Sequence, residues 1–223
     1  MSRVLPILFN TDMVRAIMDG RKTVTRRLIK PQQLIGILPD KPKNGTPEEF
    51  LKEKKHMFKP YCDMTDGELI KASYNPPYQP GDILYVRETV WQKVGHYLDV
   101  DGETKPSWYK EFKYVATDEK PETGWNYSWV KRPSIHMPKE AARIWLKVKD
   151  VRVERLQEIS EKQAEKEGCI DDVEYCVGAT AREHFKELWN STIKKSDLDR
   201  YGWDANPYVF VIEFMKIDKP EEI

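Results

Sequence analysis

The stretch Gly20-Arg21-Lys22-Thr23-Val24-Thr25-Arg26-Arg27 lies where a short helix gives way to an extended segment. The apolar residues before it share one helical face: Met13, Val14, Ile17 and Met18. Gly20 can take the left-handed conformation that ends such a helix, and the Thr and Val residues that follow favour a strand. The stretch places the amine of Lys22 and the hydroxyl of Thr25 three residues apart. Two interpretations are open: a lysine that activates a hydroxyl nucleophile, or a basic strand whose charges meet water.

The composition is that of a folded chain with one large domain or two small ones. Of its 223 residues, 39% are hydrophobic and 33% are charged. Lys+Arg and Asp+Glu both number 37, so the formal net charge is zero. Sequence-independent nucleic-acid binders normally carry a basic excess, so a local basic patch is the remaining possibility for that class. No apolar run approaches the roughly 20 residues that span a bilayer, and no signal-peptide pattern begins the chain. We therefore expect a cytoplasmic protein that does not engage a membrane.

The cysteines and histidines show no pattern that is typical of a disulfide framework or a metal site. The cysteines are odd in number and widely spaced: Cys62, Cys169 and Cys176. Such cysteines predict reduced thiols. The histidines at 56, 96, 136 and 184 lack metal-ligand spacing as well. We expect neither a metal nor another cofactor.

Alternating apolar residues predict strands that lie far apart in the sequence. The segments are residues 5–9, 83–88, 141–156 and 208–214. Two capping boxes open helices, one at Ser160–Gln163 and one at Thr180–Glu183. Distant apolar strands with helices at either end predict an α+β fold, a small β-barrel with helices packed outside it.

Two long stretches, at about 30–80 and 92–131, interrupt this pattern. They are rich in proline or aromatic residues. The elements expected inside them are a helix at 46–55, Asp-Gly turns at 66–67 and 101–102, and a strand at 108–116. Because loops on a rigid scaffold commonly carry recognition, we predict that both insertions wall a cleft.

The order of these motifs resembles the ASCH domain family. The motifs are the first helix, Gly-Arg-Lys-Thr-Val-Thr, the Pro-Gly-Asp strand, the long strand, the capped helix and the closing Val-Ile-Glu-Phe. The resemblance covers about half of the chain and implies a PUA-like β-barrel, with residues 1–223 as one domain that carries two insertions. It also implies binding of RNA or modified bases. Within the family, the chain is similar to the small bacterial enzymes that hydrolyse N4-acetylcytidine.

This resemblance implies three catalytic residues. The Gly20–Thr25 motif gives Lys22 and Thr25, and the Ala-Glu-x-Glu pattern at Ala164–Glu167 gives Glu167. Thr25 would be the nucleophile, Lys22 the base and Glu167 the acid in cleavage of the N4-acyl amide of an acylated cytosine nucleoside. From the residues alone, Glu167 reads as a solvated helix glutamate. Since none of the three is expected to pack in a core, we expect their removal to change stability little.

Further residues are candidates for substrate binding, each with a structural alternative. They are Arg21, Arg26, Arg87, Glu88, Trp129 and His136. Arg87 and Glu88 suit either a binding site or a surface salt bridge. Trp129, like Trp91, can stack on a base or pack in a core, and His136 can bind a ligand or shape a turn.

Two functions from different classes remain open at this point. The first is an amidohydrolase whose substrate is a modified cytosine nucleoside. The second is a non-catalytic module that binds RNA or a modified nucleobase. The oligomeric state is not determined by the sequence.

Overall fold

A computed structural model of the chain describes residues 2–29, 70, 74–98, 104–169 and 180–221. The chain divides into two compact units. The first comprises Met1–Arg21, Asp82–Lys147 and Lys216–Ile223, and the second comprises Lys22–Gly81 and Val148–Met215. The assignment of residues 1–223 to one domain stays a prediction.

The described residues form eight strands and four α-helices. In chain order they are β1 (Val4–Leu8), α1 (Thr11–Met18), β2 (Val24–Leu28), β3 (Ile83–Arg87), β4 (Val90–Leu98), β5 (Thr104–Tyr114), β6 (Tyr127–Arg132), β7 (Trp145–Arg155), α2 (Glu161–Lys166), α3 (Ala181–Thr192), α4 (Leu198–Tyr201) and β8 (Tyr208–Ile217). In this part of the chain no helix has the length and apolar character needed to cross a membrane.

The strands of the first unit pair in two groups. β1 lies parallel to β3, and β3 runs antiparallel to the first residues of β7. A separate three-stranded sheet has the order β5-β4-β6, with antiparallel neighbours. In the second unit, the order is β7-β8-β2, with β2 antiparallel to β8.

The α+β class is confirmed, whereas the predicted closed barrel is wrong for the described strands. Each strand order ends on an edge strand, β1 in the first unit and β2 in the second. A barrel has no edges, because its last strand pairs with its first. The alternation in the sequence predicts which residues face inward, and it does not say whether the outermost strands meet.

The helix and turn before β2 form as predicted. Asn10 caps α1, since its side-chain oxygen accepts a hydrogen bond from the Met13 amide at 2.9 Å. Gly20 follows the helix with φ at +78°, a left-handed conformation that a side chain would disfavour. In β3, the alternation is also confirmed, because Leu84 and Val86 are both fully buried.

The capping boxes of the second unit are confirmed as well. The Ser160 and Thr180 side chains each accept from the third helical amide, and the side chains of Gln163 and Glu183 accept in turn from the backbone amide of the cap residue. The two helices pack on one core, which contains Val24, Leu156, Ile159, Ala164, Ala181, Phe185, Trp189, Trp203, Val209 and Val211. This core draws β2, β8, α2 and α3 together.

The second insertion builds most of the three-stranded sheet of the first unit. Its strand β5 begins at Thr104 and ends at Tyr114, earlier at both ends than predicted. The chain turns after Tyr114, where the amides of Thr117 and Asp118 both bind the Tyr114 carbonyl. The predicted helix at 46–55 and the Asp-Gly turns at 66–67 and 101–102 lie outside the described residues. That the insertions wall a cleft stays a prediction.

Candidate functional site

Lys22 and Glu167 form a buried ion pair in the second unit. The Lys22 side chain is 0% exposed and that of Glu167 is 3% exposed. The Lys22 Nζ donates to the Glu167 Oε2 at 2.6 Å, and to the backbone oxygens of Val24 and Glu167 at 2.8 Å each. An ammonium has three donors, so these acceptors satisfy all of them.

Backbone hydrogen bonds hold the two residues against each other. The Thr23 amide donates to the carbonyl of Lys166 in α2 at 2.8 Å, and the Phe214 amide of β8 donates to the Thr23 carbonyl at 2.9 Å. Glu167 is the C-cap of α2, and Gly168 follows it with φ at +94°. The end of α2 is therefore fixed beside the residues that lead into β2.

Arg26 is the second cation at Glu167. Its side chain is 0% exposed, and its Nη1 lies 3.2 Å from the Glu167 Oε1. Its Nη2 donates to the Glu154 Oε2 at 3.1 Å and to the Gln163 Oε1 at 3.2 Å. The Arg26 Nε is buried and has no hydrogen-bond partner among the described residues. The carboxylate of Glu167 is thus shared by two buried cations, Lys22 and Arg26.

The network continues toward the surface through β7 and β8. Arg152 forms ion pairs with Glu154 and with Glu213. The chain of contacts alternates in sign from Lys22 through Glu167, Arg26, Glu154 and Arg152 to Glu213. Buried charges are costly unless they are paired and hydrogen-bonded, and the alternation meets that condition.

Burial is the largest influence on the pKa of Lys22. It lowers the pKa of Lys22 below its ordinary value; Arg27 adds to this, and Glu167 opposes it. Burial, with Glu167 adding to it, raises the pKa of the nearby Cys169 thiol to about 11. Cys169 therefore stays protonated at neutral pH and is a poor nucleophile, since the thiolate is the reactive form.

Thr25 lies on β2, opposite Ile212 of β8, and is 3% exposed. The Lys22 Nζ does not bind the Thr25 hydroxyl, since its three hydrogen bonds go to the Val24 carbonyl and to two oxygens of Glu167. Residues three apart do not share a face of a regular strand. Lys22 precedes β2, however, so its backbone need not follow the strand and only the direction of the Thr25 side chain is set by the alternation of β2. That Lys22, Thr25 and Glu167 act as a unit stays a prediction.

Arg87 and Glu88 bind protein groups in the first unit. The Arg87 Nε donates to the Met137 carbonyl at 2.9 Å, and its Nη2 donates to the Ile135 carbonyl. Glu88 is 1% exposed and accepts from Arg143 at 2.9 and 3.0 Å. Arg87 thus stabilises the turn around Met137 by hydrogen bonds, and Glu88 fixes the position of the Arg143 guanidinium.

The remaining candidates for substrate binding also belong to the first unit. Arg21 pairs with Asp19 at 2.9 Å. Trp129 is half-buried in β6, with its ring centroid 5.9 Å from the Lys93 Nζ. His136 is exposed in a short 3-10 turn. Their roles toward a substrate, like those of Arg26, Arg87 and Glu88, stay predictions.

Sequence reasoning missed Glu154, Arg152 and the second role of Gln163. Gln163 carried a visible signal, its place in the capping box, and the same side-chain oxygen also accepts from Arg26. Glu154 looked like any polar residue of an alternating strand. Its contact with Arg26 joins positions 128 apart in the sequence, and no local pattern marks it.

No group of three or more His, Cys, Asp or Glu side chains that could hold a metal ion occurs within the described ranges. Comparison of the chain with protein-family models, with curated proteins and with solved structures gives no match. The resemblance to the ASCH domain therefore rests on the sequence motifs alone.

Proposed function

We propose that the protein is an amidohydrolase that cleaves the N4-acyl amide of acylated cytosine nucleosides, such as N4-acetylcytidine, in an ASCH domain of PUA-like fold. The observation that carries the proposal is the Lys22–Glu167 pair. Both side chains are withdrawn from water, and their charged atoms lie 2.6 Å apart. Thr25, which is 3% exposed, follows Lys22 by three positions in the sequence.

The pair supports the proposal because it can supply a base and an acid at once. A charged pair withdrawn from water is costly, and burial lowers the pKa of Lys22. Transfer of one proton from Nζ to Oε2 leaves a free amine on Lys22 and a carboxylic acid on Glu167. These are the protonation states that amide cleavage requires of a base and a leaving-group acid. Arg26 meanwhile holds the other oxygen of Glu167 in place.

In the first half of the reaction, Nζ turns its lone pair to Thr25 when substrate binds. The Thr25 oxygen attacks the acyl carbon, and its proton passes to Lys22. The bond between the acyl carbon and N4 then breaks, and Glu167 gives its proton to N4. Cytidine leaves, and the acyl group remains on Thr25 as an ester. The proton now on Lys22 passes back to Glu167 and restores both groups.

In the second half, water attacks the acyl-threonine ester. Lys22 takes a proton from the water, and Glu167 protonates the departing Thr25 oxygen. The free carboxylic acid leaves, with Lys22 protonated and Glu167 ionised, which is the ion pair of the structure; one proton transfer from Lys22 to Glu167 prepares the pair for the next substrate. Each half consumes one proton from Glu167 and delivers one to Lys22, so the protons balance.

The test is conversion of N4-acetylcytidine to cytidine, followed by chromatography with purified protein. Thr25→Ala should lower turnover at least about 10³-fold, because the nucleophile is lost. Thr25→Ser keeps the hydroxyl and should retain activity. Thr23→Ala is the matched control: Thr23 is held by its backbone, so this variant should convert substrate at the parent rate. An inactive parent, or a Thr25→Ala variant as fast as the parent, would contradict the proposal.

A non-catalytic reader of RNA or of a modified nucleobase is the second candidate. The observation that favours it is that all three Nζ donors of Lys22 are hydrogen-bonded to protein acceptors, as they would be in a purely structural lysine. A folded parent protein that binds N4-acetylcytidine in equilibrium dialysis without converting it would establish this function instead.

A further inference from the structure

One face of the three-stranded sheet β5-β4-β6 collects aromatic rings and lysines. In β4, the side chains of Val90, Gln92 and Val94 are buried, so the alternate residues Trp91, Lys93 and Gly95 belong to the opposite face. Their partners on β6 are Lys131, Trp129 and Tyr127, and Lys113 of β5 lies opposite Trp91. We call this surface the aromatic face; it comprises Trp91, Lys93, Tyr109, Lys113, Tyr127, Trp129 and Lys131.

Lys93 stands at the centre of the aromatic face. Its Nζ lies 4.7 Å from the ring centroid of Tyr127, 5.8 Å from that of Tyr109 and 5.9 Å from that of Trp129. It also pairs with the Glu111 carboxylate at 2.9 Å. Cation–π attraction acts at these distances, so one ammonium orients three rings at once.

Gly95 shapes the same surface. A Cβ atom at this position would lie 2.7 Å from the ring and hydroxyl of Tyr109, closer than real Cβ contacts allow. Because Gly95 has no side chain, Tyr109 lies down against the sheet. Tyr109 nevertheless keeps 47% of its surface exposed, so its outer side is open to a ligand.

The charges of the aromatic face suit a polyanion. Trp91 has the exposed lysines Lys113 and Lys131 as its two cross-strand neighbours. The whole chain has zero net charge, so these lysines form a local positive patch on a neutral protein. The Lys93–Glu111 pair cancels its own charge, which leaves the two flanking lysines to act on a ligand.

We propose that the aromatic face binds a short single strand of nucleic acid. Bases stack on the rings of Trp91, Tyr109 and Trp129, and the phosphates lie against Lys113 and Lys131. Alternate residues of a strand stand about 6.6 Å apart, so each row of the sheet offers its ring to a separate base. Aromatic rings on an open sheet face are a known way to stack unpaired bases, whose flat faces a duplex hides. Lys22 and Glu167 belong to the other compact unit.

The test is fluorescence anisotropy of a fluorescein-labelled octauridylate titrated with the full chain. The parent should bind, and a duplex of the same length should compete weakly. Trp91→Ala should weaken binding about tenfold or more, because one stacking platform is lost. The matched control is Trp108→Ala: Trp108 is 46% exposed and lies on β5, but it pairs with Val94 and so belongs to the opposite face. It should bind as the parent does.

Lysine variants keep the proposal testable should Trp91→Ala fold poorly. Lys113→Gln and Lys131→Gln alter exposed side chains and should each reduce the slope of log K against log salt by about 0.7. Three results would overturn the proposal: no binding of octauridylate by the parent at low salt, equal losses in Trp91→Ala and Trp108→Ala, or unchanged salt slopes in both lysine variants. Tighter binding of a trimethyllysine peptide than of octauridylate would also overturn it, since the rings would then serve as a cation cage.

Discussion

Glu167 neutralises two buried cations, whereas Lys22 is one of two cations at the same acid. Both side chains lie in the interior, contrary to the expectation that these residues do not pack in a core, and we therefore expect their replacement to cost stability. Glu167→Gln leaves Lys22 and Arg26 without this charge partner and should cost about 3–5 kcal/mol of unfolding free energy. Lys22→Met should cost less, since Glu167 keeps Arg26. Urea denaturation measures both, and Glu165→Gln, an exposed change on the same helix, is the control. Equal costs for the two buried changes would contradict this.

The lowered pKa of Lys22 predicts how stability depends on pH. Between that lowered pKa and the ordinary value of about 10.4, the unfolded chain binds more protons at this lysine than the folded chain does. Burial of the charged lysine therefore destabilises the fold fully below the lowered pKa, and this penalty fades as the pH rises toward 10.4. The parent should gain stability relative to Lys22→Met over this window, as urea denaturation at several pH values would measure. Cys169, whose pKa is raised, has the opposite effect, but it is present in both proteins.

Turnover should follow the same titration of Lys22, because the free amine is the base. The rate of N4-acetylcytidine cleavage should rise as the amine of Lys22 becomes free with increasing pH, since burial lowers its pKa. The rate should fall again at higher pH, once the pair has lost to solvent the one proton that N4 must receive. Initial rates in buffers of constant ionic strength would measure this. A rate that shows no rising limb and falls steadily from the lowest pH upward would contradict a free-amine base and would show that charged Lys22 is the active form.

At the scale of elements, α2 and α3 begin with the same kind of cap, but only α2 leads to a residue of the charge network. Ser160 and Thr180 each close a capping box, so replacement by alanine should cost about 1 kcal/mol in either helix. Only α2, of these two, ends in Glu167, and its capping Gln163 also binds Arg26. Ser160→Ala should therefore lower turnover as well as stability, whereas Thr180→Ala should lower stability alone. Thermal unfolding and initial rates together check this, and equal turnover in both variants would contradict it.

Local signals explain which elements could be predicted from the sequence. A cap at Ser160 or a left-handed glycine at Gly20 depends on neighbours within a few residues, and both were found where expected. Strand order depends on contacts between distant segments, so the alternation of apolar residues could not predict whether the outermost strands pair with each other. The same holds for the site: the Gly20–Thr25 motif drew attention to Lys22, but the partners of Arg26 come from β7 and α2.

At the scale of the whole molecule, each compact unit has a core and a candidate site of its own. The second unit packs around Phe185 and Trp189 and contains the charge network. The first packs around Met137 and Trp145 and contains the aromatic face. The zero net charge of the chain thus conceals two different local arrangements, an alternating buried network and an exposed lysine patch.

Because each unit has its own core, a cavity in one core should accelerate amide hydrogen exchange mainly in the elements that line that core. Trp189 is 6% exposed, its Nε1 donates to the Tyr201 carbonyl at 2.9 Å, and its cluster includes Val24 of β2 and Ala164 of α2. Trp189→Ala should cost about 3–5 kcal/mol of unfolding free energy and accelerate amide hydrogen exchange in β2 and α2. Because these elements position Lys22 and Glu167, turnover should fall even where the variant stays folded.

Met137→Ala provides the matched comparison in the other core. Met137 is 1% exposed and packs with Val90 and Trp145, so its loss should cost about 2–5 kcal/mol and accelerate exchange in β3 and β4. Each cavity should act on the strands that line its own core, because local opening follows the loss of buried contacts. If Trp189→Ala accelerated exchange in β4 as strongly as in α2, the two cores would open together, and the units would behave as one cooperative domain, as the resemblance to the ASCH domain implies.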